Sequence, residues 1–181
     1  DGTVFVGGWF TQAGGLARQG LARCAPDGYV TPGFAPVLNG GVHEVAVEPQ
    51  SGKIVVAGTF TSVNGVARPG LARLNPEGTL DTSFNPSLDG EVWELDLMTN
   101  GQMIIAGPFT NVSGQVRQGF ARLNHDGTLD ATFNAGTGIG TWNTSLRAND
   151  LLALPDGKVF VTGWFWTFNG AACQTIVRLN A

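Results

Sequence analysis

The sequence has little charge and no long apolar run. Asp, Glu, Lys and Arg make up 13% of its 181 residues, about half of their share in an average soluble domain. The formal net charge of −4 leaves no excess of Lys and Arg to neutralise phosphates, so we expect no nucleic-acid partner. The longest apolar stretches, such as Met103–Ala106, are far shorter than the roughly 20 residues that span a bilayer. We therefore expect no membrane insertion.

Cysteine and histidine are also scarce. Cys24 and Cys173 are too few for a disulfide framework, and no CxxC or Cys/His cluster indicates a metal site. One bridge between them stays an alternative if the first and last repeats meet in a closed ring. His43 and His125 lie in different repeats and at positions that do not correspond. The segment Asn124–Asp130 lacks the closing Glu of a calcium loop, so we interpret it as a β-turn. We expect no metal and no cofactor.

Glycine, in contrast, is abundant and marks a tandem repeat. The 27 glycines predict short strands joined by tight turns. A Gly-x-Phe segment recurs at Gly8, Gly58, Gly107 and Gly163, at intervals of 50, 49 and 56 residues. A turn pair ending in Gly, and then an Ala-Arg or Val-Arg pair, follow each copy at a constant offset. Four copies in one frame predict an array of structural repeats.

Each repeat shows the patterns of strands. In the third copy, Trp93–Leu97 alternates apolar and acidic residues, as in a strand with one buried face, here called strand a. A near-continuous apolar run such as Ile54–Ala57 follows, as expected for a strand covered on both faces, strand b. The turn pair then predicts an antiparallel strand c, as in Gly70–Leu74, and the turn at Glu77-Gly78 leads to a short edge strand d.

Four antiparallel strands in about fifty residues is the size of a β-propeller blade. The sequence therefore predicts an all-β fold, a β-propeller-type array of four-stranded antiparallel blades with roughly three and a half repeats. The chain 1–181 is predicted to be one repeat domain, with copies near 1–50, 51–99, 100–155 and 156–181. It begins at strand b of one copy and ends at strand c of another, so we expect the open ends to pair in a homo-oligomer or with the rest of a longer propeller.

Several aromatic and charged residues recur from copy to copy. Because a blade buries its faces only against its neighbours, we interpret the aromatic positions as inter-blade packing. We interpret the charged positions as hydrogen bonds from loops to neighbouring blades, with a ligand ring around a central channel as the alternative. These structural repeat positions are Phe10, Phe60, Phe109, Phe165, Arg18, Arg68, Arg117, Asp81 and Asp130.

The pattern G-x-F-T-x-x-x-G-x-x-R-x-G-x-A-R-L-N-x-D-G-T-L-D-x-x-F, present at Gly107–Phe133, resembles the delta-60 repeat family of bacterial proteins. The second copy fits as closely, with Glu77 at the Asp of the turn. Two positions depart from the pattern: Thr31 replaces the later Asp in the first copy, and Cys173 replaces the first Arg in the fourth. The resemblance implies a β-propeller in a large, often secreted or surface-associated protein, and it implies no particular activity.

No set of residues in the sequence forms a catalytic group, because no nucleophile and base recur together and the acids lie mostly in turns. We expect no enzyme but a non-catalytic binding or adhesion module of a secreted or surface-anchored bacterial protein, extracellular or at the cell surface. Its expected partner is a protein or a glycan. A carbohydrate-binding, lectin-like propeller and a purely structural spacer in a fibre or large surface protein stay alternatives.

Residues that do not recur are candidates for recognition, because fold-maintaining residues appear in every copy. The loop 136–147 occurs once, and tryptophan replaces Thr or Pro after strand b in the first and last copies. In a lectin these aromatics would stack on sugar rings, whereas packing of a terminal blade or of a gap between blades is the alternative. The candidate ligand-binding residues are Trp142, Arg147, Asn143, Trp9 and Trp164.

Overall fold

The computed structural model describes residues 2–140 and 147–180, and these form strands, turns and loops without a helix. The all-β class is thereby confirmed. Within the described part of the chain, no helix has the length and apolarity needed to cross a membrane. The strands are β1 (Val4–Gly7), β2 (Gln12–Ala13), β3 (Leu16–Ala17), β4 (Leu21–Cys24), β5 (Val42–Val47), β6 (Ile54–Gly58), β7 (Ser62–Val63), β8 (Val66–Ala67), β9 (Leu71–Leu74), β10 (Glu94–Leu97), β11 (Met103–Ala106), β12 (Asn111–Val112), β13 (Gln115–Val116), β14 (Phe120–Leu123), β15 (Arg147–Ala153), β16 (Val159–Trp164), β17 (Thr167–Phe168), β18 (Ala171–Ala172) and β19 (Ile176–Leu179).

Each blade is a small antiparallel sheet. Blade 1 pairs β1 with β4, and blades 2, 3 and 4 have the strand orders β5-β6-β9, β10-β11-β14 and β15-β16-β19. The strands of each three-stranded sheet are the predicted strands a, b and c, in that order. In blade 1, β1 and β4 correspond to strands b and c.

Between strands b and c, each blade carries a short hairpin of two-residue strands, such as β7 with β8. Its turn residues Asn64 and Gly65 have φ values of 50° and 79°. Two successive positive φ values define the hairpin turn whose twist matches that of antiparallel strands. The tight turns predicted from the recurring turn pairs are therefore confirmed, although strand c begins only after a further short loop.

The predicted edge strand d is reduced to a single bridge in each of the first three blades. In blade 2 this bridge joins Leu74 to Leu80. The chain then turns, because the Asp81 carboxylate accepts a hydrogen bond from the backbone N–H of Ser83, and the N–H of Phe84 donates to the Asp81 carbonyl. Such an Asx turn bends the backbone away from the sheet and ends the pairing.

Apolar side chains fill each interface between consecutive blades. In blade 2, Ile54 and Val56 of strand b pack toward blade 1, whereas Val55 and Ala57 pack toward blade 3. This alternation follows from the two-residue period of a strand that is covered on both faces. The recurring aromatics Phe60, Phe109 and Phe165 are buried in these clusters, and Phe10 in blade 1 is half-buried.

The glycine of the recurring Gly-x-Phe segment lets strand a approach strand b. A Cβ atom on Gly58 or Gly107 would collide with the carbonyl oxygen of Gly41 or Glu91, at the start of strand a in the same blade. The sequence predicts a bulge or a close backbone approach at this glycine, and the structure shows the close approach. In blade 1, which starts at strand b, a Cβ on Gly8 would meet only the ring of Phe10.

The first recurring arginine bonds within its own repeat. Arg18 Nη2 donates to the carbonyl oxygens of Thr31 and Pro32 at 3.0 and 2.9 Å, and Arg68 Nη2 donates to that of Thr82 at 3.5 Å. Arg117 Nη1 donates to the carbonyl oxygen of Val116. For Arg18 and Arg68 the interpretation that these arginines reach neighbouring blades is therefore wrong, because the side chain runs along its own sheet to the turn that ends the blade.

The arginine of the Ala-Arg pair makes the contact between blades. Arg23 Nη1 donates to the carbonyl oxygen of Pro76 in blade 2 at 2.9 Å, and Arg73 Nη1 to that of His125 in blade 3 at 2.6 Å. The guanidinium also lies over a phenylalanine of its own repeat, with Cζ 4.7–5.1 Å from the ring centroid, a favourable cation–π contact. These pairs are Arg23 with Phe34, Arg73 with Phe84 and Arg122 with Phe133.

The recurring aspartate binds this same arginine. Arg73 Nε donates to Asp81 Oδ2 at 2.8 Å, and Arg122 Nε donates to Asp130 Oδ2 at the same distance. Burial disfavours the charged form of Asp81, but hydrogen bonds led by that from Lys53 outweigh it and hold the pKa of Asp81 below its usual value. Asp81 and Asp130 thus bond groups of their own blade and stabilise its end, so the interpretation that they reach a neighbouring blade is wrong as well.

Candidate functional site

The a strands of blades 2, 3 and 4, called the inner strands here, place three different side chains at one equivalent position. Strands β5, β10 and β15 lie next to one another, and His43, Trp93 and Asn149 occupy the same place near their beginnings. His43 and Asn149 sit at register shifts, where strand a bulges against strand b. A bulge re-aims a side chain out of the regular alternation, and it does so here next to a pocket.

This pocket has a volume of about 440 Å³ and is called the axial pocket here. It is lined by His43 from blade 2, Trp93 and Glu94 from blade 3, and Arg147, Ala148 and Asn149 from blade 4. Its volume lies within the range of about 300–1,000 Å³ that is typical of small-molecule sites. Three blades thus contribute side chains to one concave site.

An acidic residue follows each of the three equivalent positions. Burial, together with the nearby Glu44 and Asp150 carboxylates, raises the pKa of Glu94 to about 8, and the Arg147 guanidinium opposes this in part. Burial also raises the pKa of Glu44, with Asp150 and Asp96 adding to the effect. Glu94 is therefore largely protonated at pH 7, and its carboxylic acid both donates and accepts hydrogen bonds.

The other polar groups of the axial pocket are held in place by neighbours. Burial lowers the pKa of His43, and Glu91 opposes this only in part, so the imidazole is neutral at pH 7. Trp93 Nε1 donates to Glu91 Oε2 at 2.8 Å, and Arg147 Nε donates to Asn149 Oδ1 at 2.9 Å. The pocket thus offers one cation beside uncharged donors and acceptors, a set suited to a polar ligand with several hydroxyl or carbonyl groups.

The structure brings Arg147, Trp9 and Trp164 of the predicted binding residues to the same end of the inner strands. The Trp9 indole lies against the backbone of Gly41, and its ring centroid is 6.2 Å from the imidazole of His43. Trp164 is the strand partner of Arg147. Trp9 and Trp164 are 71% and 64% exposed, so packing within a terminal blade does not account for them.

A second groove of about 600 Å³ lies beside the axial pocket. It is lined by Trp9 and Phe10 from the end of strand b, by Gln19 at the start of strand c, and by the loop 38–41. The remaining predicted binding residues, Trp142 and Asn143, lie outside the described residues.

The acids Glu44, Glu94 and Asp150 belong to the candidate site or its immediate surroundings, and the sequence predictions do not include them. Most Asp and Glu residues of the sequence lie in predicted turns, and no acid of strand a is among the candidate binding residues. A signal was present, because an acid stands at the same position of every strand a, directly after His43, Trp93 and Asn149. Aligning strand a, rather than the more regular strands b and c, would have revealed it.

No group of three or more His, Cys, Asp and Glu side chains within 2–140 and 147–180 is placed to hold a metal ion. Asn124–Asp130 forms the predicted turn, in which the N–H of Gly127 donates to the carbonyl oxygen of Asn124. Cys24 and Cys173 are half-buried free thiols.

A family model described as a β-propeller domain of unknown function, DUF5122, matches residues 1–34, 50–84, 99–133 and 154–181. The chain belongs to this family. Membership confirms the β-propeller repeat that the recurring motif predicts, whereas the narrower likeness to the delta-60 repeat stays a prediction. Each match to the DUF5122 model starts near strand b, so β5, β10 and β15 fall between the matched segments, together with every lining residue of the axial pocket. No curated protein matches the chain.

Proposed function

We propose that this DUF5122 domain is a non-catalytic binding module whose ligand occupies the axial pocket. The convergence of His43, Trp93 and Asn149 on that pocket carries the proposal. In an array whose packing positions repeat, equivalent residues that differ in every blade serve a purpose other than packing. Their place between the segments that define the family supports the same conclusion.

The chemistry of the pocket favours binding over turnover. Its six lining residues include no Ser, Thr, Cys or Lys that would act as a nucleophile. Glu94 is the one carboxyl among them, and its raised pKa keeps it mostly neutral at pH 7. A neutral acid, an amide and a guanidinium are groups that orient a polar ligand by hydrogen bonds.

A binding screen with soluble oligosaccharides and peptides tests this proposal. Asn149→Ala is expected to lower the affinity for any hit at least about tenfold, the effect of losing one hydrogen bond in a desolvated site. Tyr29→Ala is the control, because Tyr29 is highly exposed in the turn that follows strand c, at the opposite end of the strands. Equal affinity of both variants would reject the axial pocket, and turnover of any ligand would reject a non-catalytic role.

Carbohydrate is the second, more specific candidate ligand. The exposed indoles of Trp9 and Trp164 flank the axial pocket, and flat aromatic faces pack against the C–H faces of sugar rings. The expected result is saturable quenching of tryptophan fluorescence by an oligosaccharide, weakened in Trp9→Ala. Trp166→Ala is the matched control, because Trp166 is as exposed as Trp9 and lines neither pocket.

We propose that this binding takes place on a secreted or surface-anchored bacterial protein, with a protein or glycan of another surface as partner. The resemblance of the repeat to surface-associated proteins supports this location. A structural spacer would bind none of the screened ligands, so an empty screen with a folded chain would favour the spacer over the binding module.

A further inference from the structure

The axial pocket holds two groups of opposite charge that do not pair with each other. Glu94 of β10 and Arg147 of β15 both line it. Among the ion pairs between described residues, none joins these two side chains. Arg147 Nε donates to Asn149 Oδ1 at 2.9 Å, and its two Nη groups donate to no other described residue. The acid and the base of this pocket therefore have hydrogen-bonding capacity left for a ligand.

An aromatic wall lies beside these two groups. Trp93 lines the same pocket and directly precedes Glu94 in the chain. The hydrogen bond from Trp93 Nε1 to Glu91 Oε2, at 2.8 Å, holds the indole in place. An indole offers a broad apolar face for packing of an alkyl chain, and the same face attracts an ammonium group. The pocket thus combines an acid, a base and an apolar surface in a volume of about 440 Å³.

We propose that the axial pocket binds zwitterions in which an alkyl chain joins an ammonium group to a carboxylate, as in a C-terminal lysine. The carboxylate binds the Nη groups of Arg147, because a guanidinium donates two parallel hydrogen bonds to a carboxylate. The ammonium group binds Glu94, and the alkyl chain packs on the Trp93 indole. This proposal rests on the binding role proposed above for the same pocket, and it names the ligand class. A peptide or protein that ends in lysine carries this chemistry, as does a free ω-amino acid.

The charges on the neighbouring inner strands favour the ammonium group at Glu94. Glu44 of β5 and Asp150 of β15 lie close enough to act on its charge, and Arg147 of β15 opposes them. His43 of β5 is neutral at pH 7, because burial lowers the pKa of its imidazole. Burial and the two carboxylates raise the pKa of Glu94 to about 8, so without a ligand it is mostly protonated at pH 7. An ammonium group supplies positive charge in place of that proton, so binding releases the proton from Glu94 to solvent.

Isothermal titration calorimetry of the full chain with ε-aminocaproate tests the proposal. Hexylamine, which lacks the carboxylate, and hexanoate, which lacks the ammonium group, are the comparison ligands. Each is expected to bind at least about tenfold more weakly than ε-aminocaproate, the effect of losing a hydrogen bond to a charged group. Equal binding of either analogue, or no binding of ε-aminocaproate, would overturn the proposal. If a ligand from the broader screen still loses affinity in Asn149→Ala, the pocket remains a binding site and only the zwitterion is rejected.

A pair of peptides distinguishes a protein partner from a free amino acid. A peptide that ends in lysine is compared with the same peptide whose C-terminal carboxylate is replaced by an amide. Tighter binding of the free-acid peptide than of ε-aminocaproate supports a protein C-terminus as the ligand. Binding of ε-aminocaproate without binding of either peptide supports a small molecule of the same class. Equal affinity for the two peptides contradicts the pairing of a carboxylate with Arg147.

Two substitutions with matched controls test the assigned partners. Glu94→Gln and Arg147→Met are each expected to weaken the binding of ε-aminocaproate at least about tenfold. Glu77→Gln and Arg178→Met are the controls, because both side chains are exposed and lie outside the axial pocket. Unaltered affinity in Glu94→Gln or Arg147→Met counts against the proposal. Circular dichroism checks the fold of each variant, and the comparison of analogues on the wild-type protein does not depend on it.

The pH dependence of binding is a readout that a merely structural role of Glu94 would not change. The primary amine of the ligand stays charged, because its pKa is about 10.4, whereas the pKa of Glu94 is raised only to about 8. The affinity for ε-aminocaproate is therefore expected to rise at least about tenfold between a pH of about 6 and a pH of about 8. Glu94→Gln should remove this rise. An affinity of the wild-type protein that stays constant or falls over this range would refute the pairing of the ammonium group with Glu94.

Discussion

Replacing Arg73 by methionine should destabilise the chain more than the same change at the equivalent Arg122. The buried Arg73 guanidinium bonds Asp81 Oδ2 at 2.8 Å and Glu48 Oε1 at 3.0 Å, and both carboxylates are themselves buried. Arg122 bonds only one carboxylate, that of Asp130, because Met98 stands at the place of Glu48. The two blades therefore provide a comparable pair. Blade 2 has the additional buried carboxylate of Glu48, a lysine (Lys53) where Gln102 bonds the aspartate of blade 3, and the bond from Arg73 to the His125 carbonyl oxygen.

The expected cost follows from the groups left behind. Breaking a buried ion pair by removing one partner costs about 3–5 kcal/mol, since the remaining charge stays desolvated. We expect that cost for Arg73→Met because it removes the arginine from the buried Glu48 carboxylate, although Asp81 keeps hydrogen bonds from Lys53 and Ser83. In Arg122→Met, Asp130 keeps hydrogen bonds from Gln102 and Thr132, so we expect about 1.5–3 kcal/mol, the value of one hydrogen bond to a charged group.

Urea unfolding gives the free energy of unfolding of both variants. Its dependence on pH tests whether the charged carboxylates cause the stabilisation. Burial disfavours the charged form of Glu48, but hydrogen bonds from Ser51 and Arg73 outweigh it and lower the pKa of Glu48, and that of Asp81 is lowered as well. Stabilisation by a carboxylate with a lowered pKa is complete above its usual pKa and is lost as the pH falls. The difference in the free energy of unfolding between the wild-type protein and Arg73→Met should therefore become smaller below a pH of about 4. If this difference does not change with pH, or if Arg73→Met and Arg122→Met lose equal free energy of unfolding, the explanation by buried ion pairs is refuted.

Three further outcomes are expected from single substitutions. Phe109→Ala should lower the free energy of unfolding by about 3–5 kcal/mol, because it opens a cavity between blades. Thermal unfolding should show a smaller loss of stability for Phe10→Ala, since Phe10 is half-buried. Because the pKa of Glu94 is raised to about 8, stability should decline by about 1–3 kcal/mol as the pH rises from 5 to 8, allowing for solvent screening of a partly exposed group. Glu94→Gln should remove that decline, and a decline that persists in this variant would assign it to another group. Gly58→Ala should lower the melting temperature sharply, because its Cβ would collide with the backbone of strand a, whereas Gly8→Ala should be nearly neutral.

The amino-acid sequence determined the parts of this protein that depend on local pattern. The two-residue period of strands such as β10, the continuous apolar run of β6, and the paired positive φ values at Asn64 and Gly65 are properties of short segments. Their recurrence about every fifty residues was enough to predict an all-β array and its buried phenylalanines. Strand d is shorter than the sequence predicts. The hydrogen bond from the Ser83 N–H to the Asp81 side chain forms an Asx turn, which bends the chain before further strand pairing can form.

Only the tertiary structure decided where the candidate site lies. His43, Trp93 and Asn149 are about fifty residues apart in the chain, and they meet because the inner strands of successive blades lie side by side. The raised pKa of Glu94 likewise depends on burial and on acids of two other blades, which no local window contains. The same holds for the arginines, because the sequence shows that Arg68 and Arg73 both recur, but only the direction of each side chain in the packed array decides which one crosses to the next blade.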